Sequence, residues 1–304
     1  MQPDIFRSSS VLKFAKPRCL IIGCGDVGMR LLPHLIDRFR VFAVTSQGAN
    51  SERFAQLRAA GAIPVFADLD RPDTIRRLAG LAKFIVHLAP PRAEGDVDIR
   101  TQHLVAILPE KAHLVYISTT GVYGDCGGAQ FDETKSLNPN NARAKRRVSA
   151  EKLLRSWARR RSGVLSILRV PGIYAANRLP LERLRKATPA LIACEDVYTN
   201  HIHAEDLAKL IKLAMFRART NRVYHAVDDS DMKMADYFDQ IADHFQMPRA
   251  PRLPRIDLEK SVSPMLLSFM SESRRLLNQR VKTELGANLN FPTVAHALRQ
   301  LPVE

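Results

Sequence analysis

Short apolar runs recur along this chain, and longer helical patterns separate them. "RCLIIG" (18–23), "VFAVT" (41–45), "IPVFA" (63–67), "FIVHLA" (84–89), "HLVYIS" (113–118), "VLSILRV" (164–170) and "RVYHAV" (222–227) read as strands. They are apolar on both faces, as parallel strands covered by helices on both sides are. "MRLLPHLIDRF" follows the first strand as a helix that Pro33 should kink or shorten. "NSERFAQLRAAG" and "RPDTIRRLAG" are helices closed by Gly61 and Gly80. "SAEKLLRSWARR" places Ala150, Leu153, Leu154, Trp157 and Ala158 on one face. This alternation predicts an α/β fold, a Rossmann-type doubly wound parallel sheet.

After residue 171 the pattern loosens, and prolines crowd "MPRAPRLPR" (247–255). A smaller, irregular C-terminal lobe is expected over the C-terminal edge of the sheet, where ligands bind in such folds. The expected organisation is a loose tail at 1–16 and a dinucleotide-binding domain at 17–170, to which 202–227 returns. Residues 171–201 and 228–304 form the substrate-binding lobe. With 304 residues, 46% hydrophobic and 25% charged, the chain can bury a sizeable core. No apolar run reaches the ~18 residues of a membrane span, and "MQPDIFRSSSVLKFAK" has no signal-peptide core. Cys19, Cys24, Cys126 and Cys194 form no C-x-x-C pair, so neither a metal site nor a disulfide framework is expected, and a reduced cytoplasm is the default location. The net charge of +15 raises nucleic acid as a partner, but no nucleic-acid motif accompanies it and aromatics are only 7%. Stretches such as "RSWARRRS" read as solvated helix faces, and an anionic small-molecule substrate also suits the charge.

"CLIIGCGDVGMRLL" carries Gly23, Gly25 and Gly28 as G-x-G-x-x-G between a strand and a helix, the context that gives this motif meaning. Gly23 permits the tight turn, Gly25 lets a pyrophosphate approach the backbone, and Gly28 lets helix and strand pack closely. The helix N-terminus supplies free N–H groups. An acid at the end of the second strand would take the ribose hydroxyls of NAD. There the chain has Thr45, Ser46 and Gln47, with no acid before Glu52 and with Arg53 nearby. NADP or NAD is therefore the expected cofactor, with a weak preference for NADP. Asp68 ends the third strand, where it would meet the adenine.

"YISTTGVYGD" (116–125), together with the glycine loop, resembles the extended short-chain dehydrogenases/reductases, the group of nucleotide-sugar epimerases and dehydratases. "FIVHLAPP", "FDETKSLNP", "LRVPGIYAANR" and "TNHIHAEDLA" are similar to further motifs of that family, in the family's order, with Ala175 and Ala176 in place of Gly-Pro. The resemblance implies that Thr119 hydrogen-bonds the substrate's reacting oxygen. It implies cofactor contacts at Asp26, Val27, Leu69, Leu88, Ala89, Pro90 and Pro171 as well. The family's Tyr-x-x-x-Lys pair, counted back from Glu151, falls on Arg143 and Arg147. An arginine cannot act as the base, because its pKa stays above ~12. Arg147 is expected to serve as a positive ribose ligand, and Arg143 and Arg178 as anion ligands of the substrate. Lys145 and Arg146 are expected to point elsewhere, into solvent. Tyr123, Lys145 and Tyr174 are the candidate substitute acid/bases, each with a structural role as the competing reading, as for His87, His201 and His203. His203 and Asp206 would fix the join between the lobes. Two functions follow: a nicotinamide-dependent oxidoreductase or epimerase on an anionic substrate such as a nucleotide sugar, or a dinucleotide-binding sensor or regulatory partner that has lost the chemistry. Homodimerisation is compatible with either.

Overall fold

The structure, a computed structural model, describes residues 15–302. Most of the expected tail, 1–14, lies outside the described residues. Seven strands form one parallel sheet: β1 (Arg18–Ile22), β2 (Arg40–Thr45), β3 (Ile63–Phe66), β4 (Phe84–His87), β5 (His113–Thr119), β6 (Val164–Val170) and β7 (Arg222–His225). Their order across the sheet is β7-β6-β5-β4-β1-β2-β3, so the direction of winding reverses between β1 and β4. The helices are α1 (Asp26–Leu31), α2 (Glu52–Ala59), α3 (Pro72–Ile75), α4 (Ile99–Ile107), α5 (Ala142–Arg160), α6 (Leu181–Arg185), α7 (Ala204–Arg217), α8 (Met234–His244), α9 (Arg255–Ser261), α10 (Pro264–Phe269), α11 (Gln279–Glu284) and α12 (Val294–Leu298).

Alternate residues of a strand point to opposite faces, and both faces are covered. Cys19 and Ile21 of β1 pack with Leu31, Leu207 and Ile211 beneath α1 and α7. Leu20 and Ile22 pack with Leu104, Leu154 and Trp157 beneath α4 and α5. A separate cluster, including Leu184, Tyr237, Phe238, Ile241 and Leu258, is the core of the lobe. Asp206 joins the lobe to the sheet domain by accepting from the backbone N–H groups of Asn290 and Phe291, both at 2.8 Å. His203 caps α7 by accepting from the Glu205 N–H, and its ring centroid lies 3.8 Å from that of Phe291.

Several elements differ from the sequence reading. The helix expected over 29–39 ends at Leu31 and continues as a 3-10 turn, Leu32–His34, because Pro33 has no N–H for the α-helical ladder. β4 and β7 are shorter than expected. After His87 the chain leaves the strand ladder, with the Leu88 and Ala89 N–H groups both donating to the Ile22 carbonyl. Helix α4 had no counterpart in the reading, although Asp98 caps it by accepting from the Thr101 N–H. Asn141 accepts from the Ala144 N–H and starts α5 earlier than expected, so the basic run 143–147 is already helical. Leu153 is half-exposed rather than on the buried face of α5.

Candidate functional site

Two cavities open at the C-terminal edge of the sheet. The first, about 550 Å³, lies at the winding reversal and is lined by Gly23, Gly25, Asp26, Thr45, Ser46, Gln47, Arg53 and Pro90 among others. Gly23 has φ +80°, and a Cβ there would lie 2.7 Å from the backbone of Ala89. A Cβ on Gly25 would meet nothing within 4 Å, so the space above it is open. Gly25 also caps α1 without a side-chain bond, which leaves the first-turn N–H groups free for a ligand. A Cβ on Gly28 would lie 2.8 Å from Cys24 Sγ, so its smallness serves packing. These features fit a dinucleotide pyrophosphate: Gly23 makes the turn, Gly25 leaves the room and α1 offers its donors.

Asp26 would place a negative charge beside that pyrophosphate. Its carboxylate is held by Arg30 at 3.3 Å and Arg178 at 3.1 Å, and these bonds outweigh burial and keep its pKa below the usual range. Arg53 donates to the Cys24 carbonyl and to Gln56, which fixes it beside Ser46 and Gln47. Of the other expected cofactor residues, Val27 packs against the sheet core, and Leu69 and Ala89 are nearly buried. The Asp68 carboxylate is partly engaged by the Asp70 N–H at 2.9 Å. Leu88 packs near Gly28.

The second cavity, about 430 Å³, lies between the sheet edge and the lobe. Thr119, Arg143, Arg147, Pro171, Tyr174, Arg178 and His201 all line it, so the structure brings together seven residues singled out from sequence. Thr119 ends β5, and its hydroxyl oxygen accepts from the Gly121 N–H at 3.2 Å. Arg147 donates to the Tyr116 hydroxyl and the Ile117 carbonyl, both at 3.0 Å. The guanidinium carbon of Arg143 lies 4.3 Å from the ring centroid of Phe269 on α10.

The substitute acid/bases fare differently. Tyr123 is buried and does not line this cavity: its hydroxyl donates to His225 Nε2 and accepts from Arg169, both at 2.6 Å. Lys145 faces outward and pairs with Asp96 at 3.5 Å. Tyr174 lines the cavity, but its hydroxyl is bound to Asp228 at 3.1 Å and burial raises its pKa. Arg146, expected in solvent, is buried and donates to the Gly95 carbonyl, because the turn of α5 it occupies faces the 91–98 loop. His87 is buried and bonded to Thr101 at 3.0 Å.

Sequence reasoning missed much of the wall. Arg183, Tyr198, Tyr237, Phe269, Glu272 and Arg274 also line the cavity. They come from the irregular region, and no motif marked them. Among the described residues no cluster of His, Cys, Asp or Glu is able to hold a metal ion, and no helix is long and apolar enough to cross a membrane.

The family model described as the RmlD substrate binding domain matches residues 25–275. No characterised protein in the curated set matches by sequence. Among solved structures, a functionally unknown conserved protein from Silicibacter pomeroyi shares 27% identity at a TM-score of 0.76, covering 93% of this chain and 97% of that one. UDP-glucose 4-epimerase from Thermotoga maritima, solved with UDP-glucose, gives a TM-score of 0.73 at 16% identity, covering 93% and 96%. dTDP-glucose 4,6-dehydratase from Bacillus anthracis, solved with NAD, gives 0.73 at 14%, covering 93% and 94%. The parallel sheet with its reversal at the glycine loop, the cavity beyond Thr119 and a family match over most of the chain agree: this protein belongs to the RmlD substrate-binding-domain family, among the extended short-chain dehydrogenases/reductases.

Proposed function

We propose that this protein is a nicotinamide-dinucleotide-dependent oxidoreductase or epimerase acting on an anionic substrate, with arginines where the family has its tyrosine and lysine. The observation that carries this reading is the shared wall formed by Thr119, Arg143 and Arg147 in one cavity, next to a glycine loop that fits a pyrophosphate. The dinucleotide would lie along the sheet edge, its pyrophosphate on α1 and its nicotinamide toward Thr119. The bound nicotinamide supplies hydride chemistry; the chain's own residues bind and orient. Thr119 offers a hydroxyl to the reacting oxygen. Arg147, steadied by Tyr116 and the Ile117 carbonyl, keeps further N–H groups for the ribose or the substrate. Arg143 brings positive charge and no base. NADP is preferred over NAD, because Ser46, Gln47 and Arg53 surround the expected ribose position; Glu52, also on that wall, opposes the preference. The epimerase and dehydratase neighbours support a nucleotide-linked sugar as the substrate class.

A second reading, a dinucleotide-binding sensor or regulatory partner without turnover, is favoured by the commitment of the Tyr123 and Tyr174 hydroxyls to buried partners. General acid–base catalysis contributes roughly 10²–10⁴-fold, so loss of the phenol predicts slow turnover of ordinary family substrates. Calorimetric titration with NAD and NADP tests the binding claim, and binding of neither refutes it. Product analysis by NMR of a panel of nucleotide sugars incubated with the protein and its dinucleotide separates the two readings, because an epimerase returns its hydride and leaves no net cofactor reduction. No turnover in the wild type or in Arg143→Tyr/Arg147→Lys leaves the sensor.

A further inference from the structure

We propose that Glu272 is the general base of the reaction and stands in for the missing tyrosine, receiving the proton of the substrate hydroxyl beside Thr119. The inference rests on the oxidoreductase or epimerase reading above.

Among the described residues, Glu272 is the sole carboxylate on the wall of the cavity that Thr119, Arg143 and Arg147 line. It lies in the segment after α10, and that segment is tied to the loop that follows the Thr119 turn. The Ser273 carbonyl accepts from the Cys126 and Gly128 N–H groups, both at 3.0 Å, and the Ser273 N–H donates to Asp125 at 2.8 Å. Arg274 donates to the Gly124 carbonyl at 2.5 Å. The carboxylate is held at both oxygens: Oε1 accepts from the Asn141 amide at 3.1 Å and Oε2 from Arg274 at 2.7 Å. Asn141 caps α5, two positions before Arg143. Glu272 therefore meets the start of α5, where the family's tyrosine would stand. A Cβ on Gly121 would lie 3.6 Å from the Thr119 side chain and 3.9 Å from Ala144, so the same end of α5 flanks Thr119.

A carboxylate offers about four acceptor positions, so the two protein bonds leave lone pairs on both oxygens for a substrate hydroxyl. The other titratable groups on the wall are worse suited to take a proton. Tyr174, Tyr198 and Tyr237 are phenols that would first have to lose one, and burial raises the pKa of Tyr174 and Tyr237. Burial pushes His201 down to about 3, because a proton there creates a charge in the interior. A proton on Glu272 instead removes a charge. In the oxidising step the substrate O–H proton passes to Glu272 as the hydride leaves the carbon for the bound nicotinamide. In the return step the carbon regains the hydride and the oxygen takes the proton back from Glu272. Asn141 and Arg274 are positioning residues for this carboxylate.

UDP-glucose, UDP-N-acetylglucosamine and dTDP-glucose serve as probes, each incubated with the protein and its dinucleotide, with the products followed by NMR. Glu272→Gln, which keeps the size of the side chain, should lower kcat by about 100-fold or more, with dinucleotide affinity and Tm little changed. Formate added to Glu272→Ala should restore turnover, because a small carboxylate supplies the lost base, whereas chloride at the same ionic strength should not. A kcat in Glu272→Gln close to that of the wild type overturns the proposal. So does a loss in Glu272→Ala that formate leaves unrepaired, which marks Glu272 as a structural partner of Arg274. No turnover of any probe by the wild type overturns the proposal together with the enzyme reading, whereas turnover that survives Glu272→Gln overturns this proposal alone.

Discussion

Nη1 of Arg147 donates to both the Tyr116 hydroxyl and the Ile117 carbonyl, each at 3.0 Å. The helix α5 and the strand β5 thus hold one guanidinium between them at the cavity wall. Tyr116→Phe removes one of these acceptors in a fully buried place. It should cost about 1 kcal/mol of stability in urea unfolding and weaken dinucleotide or substrate binding by a few-fold. Unchanged binding in that variant would show that Arg147 does not need the phenol for its position.

The glycine loop separates strain from function. Gly23→Ala puts a Cβ 2.7 Å from the Ala89 backbone at a residue with φ +80°. Stability should fall by roughly 1–3 kcal/mol, along with dinucleotide binding. Gly25→Val meets no protein atom within 4 Å of its Cβ, so its Tm should change little while dinucleotide binding is abolished. Parallel melting and calorimetric titration of the two variants check the contrast.

A buried polar chain runs beneath the cavity. Ser118 donates to Glu151 at 2.7 Å, and Arg169 binds both oxygens of Glu151 at 3.1 and 2.7 Å. Arg169 also donates to the Tyr123 hydroxyl, which donates to His225 Nε2, while His225 Nδ1 donates to the Leu277 carbonyl at 2.9 Å. The side chains of Arg169 and Glu151 are 4% and 2% exposed, so removing one leaves the other charged in the interior. Arg169→Met should destabilise by about 3–5 kcal/mol, measured by urea unfolding. The double variant Arg169→Met/Glu151→Leu should recover much of that loss.

Buried titrating groups set the pH dependence of stability. Burial pushes the pKa of His87, His201 and His225 down to about 3, against 6.5 for a free histidine. Each contributes stability that is complete above pH 6.5 and is lost as pH falls toward 3, because the unfolded chain binds the proton first. Asp228 acts in the opposite sense. Burial raises its pKa to about 7 from 3.8, so its contribution is complete below 3.8 and is lost as pH rises to about 7. Burial also raises the carboxyls of Glu133 and Asp196 and lowers His34 and His203; the histidines still outnumber the carboxyls, so the urea midpoint should fall from pH 6.5 to pH 5. His225→Gln should flatten that slope. A midpoint that rises on acidification contradicts the assignment of these histidines as buried and neutral.

The sequence by itself determined the parallel sheet, the glycine loop and the place of Thr119. These are set by local rules: strands buried on both faces are apolar at most positions, and a turn at φ +80° against another backbone accepts only glycine. It also determined that residues 143 and 147 share a helix face, because a helical turn brings residues four apart together. Tertiary structure decided the rest. Arg146 has the same chemistry as Arg143 and Arg147, yet it is buried because the 91–98 loop crosses its side of α5. Tyr123 and Lys145 looked available for proton transfer until Arg169, His225 and Asp96, all distant in sequence, engaged them. Arg183 and Phe238 carry no motif, and only the folding of α6 onto α8 makes them a stacked pair. Whether a charge is solvated, paired or left without an acceptor depends on what the chain brings beside it, and that is a property of the folded interior rather than of any local stretch.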